Sequence, residues 1–216
     1  MRLRLYGYWR SSSAWRVRIA LGLKGLEYES RPVHLLRNGG EQHEADYLRL
    51  NPMAQLPTLE VEERGELRHL TQSLAIIDWL EQLQPEPSIL SSEPWARFRA
   101  LEIAEIVNSG MQPLQNLSVL QAVERLGSSK QEWVRPFLTR GLAALERKLD
   151  GGPFALGEQP SLADLCIVPQ LYSTRRFGID LGDFPSLLRV EATCRAHPAF
   201  EAAHPDRQVD AKPKGN

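Results

Sequence analysis

Three consecutive serines, Ser11-Ser12-Ser13, stand in the block Trp9-Arg10-Ser11-Ser12-Ser13-Ala14-Trp15-Arg16-Val17-Arg18-Ile19-Ala20-Leu21, directly ahead of an apolar run. Hydroxyls at the start of a helix lie beside unpaired backbone N–H groups and the positive end of the helix dipole. They can therefore hold a carboxylate, a phosphate or a thiolate. Plain helix capping by the same serines is the structural alternative. A second place of this kind is Gln72-Ser73, which opens an apolar helix and could grip an anion or merely cap.

The elements that must position these groups follow from periodicity. Leu3 and Leu5 share one face of a strand, Leu3-Arg4-Leu5-Tyr6, and Gly7 marks the turn out of it. In the next segment Val17, Ala20 and Leu21 stand at i, i+3 and i+4, and Lys24-Gly25 supplies a cation and then a stop. Arg16 and Arg18, on the body of that helix, read as solvated or salt-bridged. Leu26 to Val33 is a second strand, parallel to the first through a right-handed crossover. A polar connection with Gly39-Gly40 leads to a short helical piece ending near Leu50. Leu56 to Val61 and Leu67 to Leu70 form a hairpin around Glu63-Arg64-Gly65. Ser73, Ile76, Ile77 and Leu80 then share one side of a helix ending before Pro85. This β-α-β-α-β-β-α order predicts a thioredoxin-like domain with a mixed four-stranded sheet.

The break Gln84-Pro85-Glu86-Pro87-Ser88, with Ser91-Ser92-Glu93-Pro94, is the natural linker. Domains are expected at 1–83 and 95–216, with a linker at 84–94 and a disordered tail from about 206. The second domain reads as all-helical, with 3.6-period faces over Trp95 to Ser109, Gln131 to Asp150 and Leu162 to Leu171. Ser161-Leu162-Ala163-Asp164 is a capping box with a structural role.

Twenty-six basic and 27 acidic residues nearly cancel, without a basic run, so nucleic-acid binding is not expected. No apolar run is long enough for a bilayer and no signal-peptide layout is present, which makes the cytoplasm the default. Cys166 and Cys194 lie far apart without a C-x-x-C pairing, and the histidines at 34, 43, 69, 197 and 204 have no ligand spacing. Neither a disulfide scaffold nor a metal site is expected. Small molecules and protein partners remain.

A thioredoxin-like domain without C-x-x-C, followed by an all-helical domain, resembles the glutathione transferases over almost the whole chain. Tyr8 to Leu21, Leu50-Asn51-Pro52-Met53-Ala54-Gln55-Leu56-Pro57-Thr58-Leu59, Gln72-Ser73-Leu74-Ala75-Ile76-Ile77 and Gln112-Pro113-Leu114-Gln115-Asn116-Leu117-Ser118 narrow the resemblance to the zeta class, the maleylacetoacetate isomerase family. The resemblance implies glutathione as cofactor and a homodimer. It implies Ser11 as the thiol-activating hydroxyl with Ser12 beside it. Ser13 stands where the family motif usually has cysteine.

The energetics suit that assignment. A thiol with a pKa of about 8.5 needs about 2.7 kcal/mol of preference for the anion to come down by roughly two units. A charge-assisted serine hydrogen bond contributes roughly 1.5–3 kcal/mol and a helix N-terminus about 0.3–2.

Pro57 resembles the cis-proline of thioredoxin-like domains, which would present the backbone of Leu56 to the cysteinyl part of glutathione. An ordinary trans-proline at a strand start is the alternative. Gln72 and Ser73 would hold the γ-glutamyl carboxylate. Family resemblance also carries over Gln42, Gln112 and Asn116 as glutathione contacts. The guanidinium fork suits the carboxylates of a dicarboxylic substrate, which makes Arg10, just ahead of the serine cluster, a candidate, and the resemblance to maleylpyruvate isomerases implies Arg176 as a second. Ion pairs at the surface or between domains are the structural alternative for both. The implied activity is the cis–trans isomerisation of maleylacetoacetate. Alternatives are maleylpyruvate isomerisation, glutathione transfer to small haloacids, and a non-catalytic binding module.

Overall fold

The computed structural model describes residues 1–211, and its backbone contacts divide the chain into two compact units. One comprises Met1–Pro87 together with the described residues from His197 to 211; the other is Ser88–Ala196. The sequence reading placed everything from residue 95 in the second domain, whereas the last helix belongs with the first unit.

In the first unit, strands β1 (Arg2–Gly7), β2 (Glu29–Pro32), β3 (Thr58–Glu63) and β4 (Glu66–Thr71) form a mixed sheet in the order β2-β1-β3-β4. β1 runs parallel to β2 and antiparallel to β3, and β4 completes the hairpin. Helices α1 (Ser12–Leu23), α2 (Ala45–Leu50) and α3 (Ser73–Leu83) alternate with the strands, giving the expected thioredoxin-like order. The register Leu3↔Val61 and Leu5↔Leu59 places four buried apolar residues on one sheet face, the period-2 pattern in space. Arg4↔Glu60 and Arg2↔Glu62 occupy the other. There Glu60 is held by Arg4, by Tyr6 Oη at 3.4 Å and by His69 Nε2 at 3.1 Å.

α1 ends where the sequence predicts, with Gly25 at φ +64° and the Leu26 N–H returning to the Leu21 carbonyl. Its Lys24 is not a surface cation. The ammonium is buried and donates to the carbonyls of Pro85 and Pro87 at 3.1 and 2.6 Å, with Glu81 at 2.5 Å. Arg16 and Arg18 depart from the solvated part of their expectation. They are 0 % and 5 % exposed; helix α9 (Pro198–Ala203) packs on α1, and Arg18 bonds the carbonyl of its last residue. Gly22 permits that approach, since a Cβ there would stand 3.2 Å from the Cβ of Ala199. Beyond α9, residues 205–207 form a 3₁₀ turn and Asp210 bonds the N-terminal region, so the expected tail is placed at least through residue 211. Residues 212–216, also part of that expectation, lie outside the described residues.

The second unit is helical: α4 (Pro94–Asn108), α5 (Leu117–Arg125), α6 (Lys130–Glu146), α7 (Leu162–Arg176) and α8 (Pro185–Ala196). Twelve of α7's fifteen residues are buried, and it packs against α4 and α8. The capping box forms as expected, with Asp164 Oδ2 accepting from Ser161 N and Oγ at 2.8 and 2.9 Å. The other carboxylate oxygen accepts from Ala155 N at 2.8 Å, tying the preceding loop to the same cap. Among the described residues no helix is long and apolar enough to cross a membrane, and no cluster of three or more His, Cys, Asp or Glu could hold a metal ion.

Candidate active site

Sheet register explains how residues far apart in sequence meet. Tyr6 pairs with Thr58, and Thr58 pairs with Thr71. The segments leaving β1, entering β3 and leaving β4 therefore emerge at one end of the sheet. These carry Arg10 and Ser11, Leu56 and Pro57, and Gln72 and Ser73. The Val33 N–H bonds the Gly7 carbonyl at 2.7 Å, so the segment leading from β2 toward Gln42 starts from the same end.

Tyr8-Trp9-Arg10-Ser11 is a tight turn closed by the Ser11 N–H on the Tyr8 carbonyl at 2.9 Å. Ser11 is then the N-cap of α1: its backbone is extended, and its Oγ accepts from Ala14 N at 3.2 Å. Accepting that bond leaves the hydroxyl hydrogen able to donate, so capping and anion binding are compatible in one side chain. Ser12 and Ser13 are the first two helical residues. Arg10, half-buried, lies with its guanidinium carbon 4.7 Å from the centroid of the Trp9 ring and 5.9 Å from that of Tyr8. Stacking of this kind fixes the plane of the fork while its outer nitrogens keep their donors.

The Leu56–Pro57 peptide is cis, as the thioredoxin resemblance implies. The loop before it is held by two side chains that the sequence reading did not single out. Asn51 Nδ2 donates to the Gln55 carbonyl at 2.8 Å, while its Oδ1 accepts from Met53 N at 3.1 Å. Tyr47 Oη donates to the same carbonyl at 2.6 Å and lies 2.9 Å from Thr58 Oγ1. Burial pushes the Tyr47 phenol up to about 12, with the hydrogen bond to Thr58 opposing, so it remains a neutral donor. Asn-Pro and Tyr in a polar segment are the only sequence signals for this anchor.

At α3, Gln72 is the N-cap with φ +66°, an unfavourable backbone for a residue with a Cβ, and its side chain makes no cap bond to the first turn. Such conformations persist where the surroundings over-determine them, commonly at ligand sites. Ser73 is buried at the first helical position. Gln42 is buried over Gly40, where φ is +111° and a Cβ would stand 2.4 Å from Gln42 Nε2. Its Oε1 is buried and has no hydrogen-bond partner. Two helix N-termini, a hydroxyl donor and an orphaned amide oxygen suit a small peptide with a thiol and a carboxylate, and the residues thus fit glutathione.

In the second unit, Gln112 opens a 3₁₀ turn (Gln112–Gln115), and Asn116 caps α5, its Oδ1 accepting from Ser118 N at 3.1 Å and Ser118 Oγ at 3.0 Å. The turn is fixed by buried Met111 before it and by Trp133 Nε1, which donates to the Leu114 carbonyl at 2.9 Å. Arg176 is exposed at the last position of α7. Its neighbour Arg175 is committed to Glu191 by two bonds of 2.6 and 2.5 Å.

Comparisons with known proteins identify the family. Family models for the glutathione S-transferase N-terminal domain and C-terminal domain match residues 10–83 and 133–203. The maleylacetoacetate isomerase of Pseudomonas aeruginosa is 45% identical, covering 96% of this chain and 98% of that protein. The crystal structure of maleylacetoacetate isomerase from Anaeromyxobacter dehalogenans 2CP-1, with glutathione bound in its active site, superposes with a TM-score of 0.89 at 53% identity over 98% of both chains. A holo maleylpyruvate isomerase, described as a bacterial zeta-class glutathione S-transferase, superposes at 0.90 with 34% identity, covering 97% of this chain and 100% of that one. The chain belongs to the glutathione transferases, and within them to the zeta class, the maleylacetoacetate isomerase family.

Proposed function

We propose that this chain is a glutathione-dependent isomerase that converts maleylacetoacetate to its trans isomer, fumarylacetoacetate. The observation that carries the reading is Ser11, an N-cap hydroxyl at the positive end of α1 that keeps its own hydrogen to donate. Glutathione, when bound, would supply a nucleophilic thiolate for reversible covalent catalysis at the cis double bond and would be regenerated unconsumed.

The protein's part is to hold charge in place. Ser11 lowers the thiol pKa by donating to sulfur, with Ser12 beside it and the α1 dipole adding to the effect. The N-terminal end of α3, with Gln72 and Ser73, holds a carboxylate of the peptide, and the Leu56 backbone at the cis-proline pairs with its cysteinyl part. Gln42, Gln112 and Asn116 add amide contacts. Arg10 and Arg176 supply guanidinium forks for the carboxylates of the substrate, Arg10 lying stacked on Trp9.

Maleylpyruvate isomerisation is the second reading, favoured by the superposition at 0.90 on an enzyme of that name. The higher identity to a maleylacetoacetate isomerase places it second. We further infer a cytoplasmic homodimer serving the breakdown of tyrosine and phenylalanine, on the strength of family membership. Purified protein mixed with maleylacetoacetate and substoichiometric glutathione tests the proposal. Catalytic loss of the cis isomer without loss of thiol is expected. Stoichiometric thiol consumption with no isomerisation would overturn it, and faster turnover of maleylpyruvate would move the assignment to the second reading.

A further inference from the structure

The turn Tyr8-Trp9-Arg10-Ser11 has a peptide-group problem that the C-terminal segment solves. Its hydrogen bond, from Ser11 N to the Tyr8 carbonyl, leaves the N–H and C=O of Trp9 without partners inside the turn. Both are met by side chains. The Trp9 N–H donates to Asp210 Oδ2 at 2.9 Å, across 201 positions of sequence. The Trp9 carbonyl accepts from Arg18 Nη2 at 2.9 Å.

Arg18 in turn donates from Nε to the carbonyl of Ala203, the last residue of α9, at 3.2 Å. Burial pulls this guanidinium down to about 10, opposed by Tyr28 and Asp210, which leaves it charged at neutral pH. Trp15 and His204 meet edge to face at 5.2 Å between ring centroids. A cation from α1 and an anion from the C-terminal segment thus hold the two sides of one residue, and the next two residues are Arg10 and Ser11.

We propose that Asp210 is a positioning residue for the active site. Through the Trp9 N–H it sets the angle at which the turn presents the Ser11 hydroxyl and the Arg10 fork. The inference rests on the reading of Ser11 as the thiol-activating group. It extends that reading by assigning the segment after α9 a part in catalysis beyond its contribution to stability. Thiolate stabilisation depends steeply on the direction of the donor, so a turn that can relax should lose rate before it loses fold.

The test compares the full-length protein with Asp210→Ala, Asp210→Asn and Ser11→Ala variants. Measured for each are melting temperature, kcat, KM for glutathione, and the pH titration of bound glutathione thiolate by ultraviolet absorbance. Asp210→Ala is expected to lower kcat/KM roughly tenfold or more and to move the thiolate titration to higher pH. Asp210→Asn, which still offers an oxygen to the Trp9 N–H, is expected to recover most of both. A melting temperature lowered in Asp210→Ala with kcat and titration unchanged would overturn the inference, as would equal losses in Asp210→Ala and Asp210→Asn. Loss in Ser11→Ala with none in Asp210→Ala removes this inference alone. Full activity in Ser11→Ala removes the reading beneath it.

Discussion

Gln115 and Gln170 meet amide to amide: Gln115 Nε2 donates to Gln170 Oε1 at 2.8 Å, and Gln170 Nε2 returns a bond to Gln115 Oε1 at 3.3 Å. Gln170 is fully buried on α7 and also donates to Thr174 Oγ1 at 3.2 Å. The pair fastens the end of the 3₁₀ turn that begins at Gln112. Gln170→Leu leaves the Gln115 amide and the Thr174 hydroxyl to find other partners, and should cost about 1–3 kcal/mol of stability in a urea titration. Because the turn also carries a proposed glutathione contact, KM for glutathione should rise in the same variant more than kcat falls.

Ser11→Ala removes both the donor to sulfur and the cap on α1. Loss of the cap alone should cost about 1 kcal/mol. Loss of a charge-assisted bond worth roughly 1.5–3 kcal/mol should reduce turnover by about 10- to 150-fold at neutral pH. Assay at higher pH should recover much of the rate, since the thiol then ionises unaided. Stopped assays across pH read the difference, and a flat ratio of variant to parent would count against the role. Removing Ser12 as well should deepen the loss, and unchanged kcat in that double variant would exclude the serine mechanism.

Arg10→Ala should raise KM for a dicarboxylic substrate by about tenfold, while KM for glutathione stays within a factor of a few. Arg10→Lys should restore charge but not the planar stack on Trp9, and so recover only part of the loss. Steady-state kinetics with each substrate varied separately distinguishes the two constants.

The acid limb of stability should depend on Glu60. Burial raises its pKa, but hydrogen bonds from Arg4 and His69 outweigh that, and the carboxyl lies below the ordinary value. A depressed acid contributes stability that is present above the unfolded pKa, about 4.3, and is lost as pH falls through the folded value. Glu60→Gln should therefore lower the melting temperature at pH 7 and flatten its decline below about pH 4. Thermal melts across that range provide the check.

Thiol labelling should find no reactive cysteine in the native protein. Cys166 and Cys194 are both buried. Burial, with the Asp164 carboxylate beside it, holds the Cys194 thiol far above its usual range. Two equivalents of label should enter only under denaturing conditions, and rapid native labelling would contradict the packing of α7 on α8.

How far these features were legible in the sequence depended on their range. The strands and α1 were readable because Leu3 and Leu5, or Val17, Ala20 and Leu21, repeat at intervals set by backbone geometry. Ser11 and Gln72-Ser73 were singled out because each stands at a boundary between elements, whereas the cis bond at Pro57 came only through the thioredoxin resemblance. Arg16 and Arg18 were read as solvated or salt-bridged, since charge on an amphipathic helix normally faces water; both are buried, Arg18 against the carbonyl that ends α9. Helices α5, α8 and α9 escaped notice because α9 is only six residues long and the other two had not been separated from the loops around them. Tyr47, Asn51 and Asp210 act on backbone groups, which leave no mark on side-chain periodicity.

The return of α9 to α1 also orders events during synthesis. Met1 to Pro87 leaves the ribosome before Ser88–Ala196, yet the side of α1 bearing Arg18 and Gly22 has no cover until residues near Ala199 and Ala203 emerge. For the whole time that Ser88–Ala196 is being made, the nascent first unit must carry a buried-type arginine and an open helix face without their partners. The first unit is thus begun before Ser88–Ala196 and completed after it, so the two units cannot mature one after the other as independent pieces.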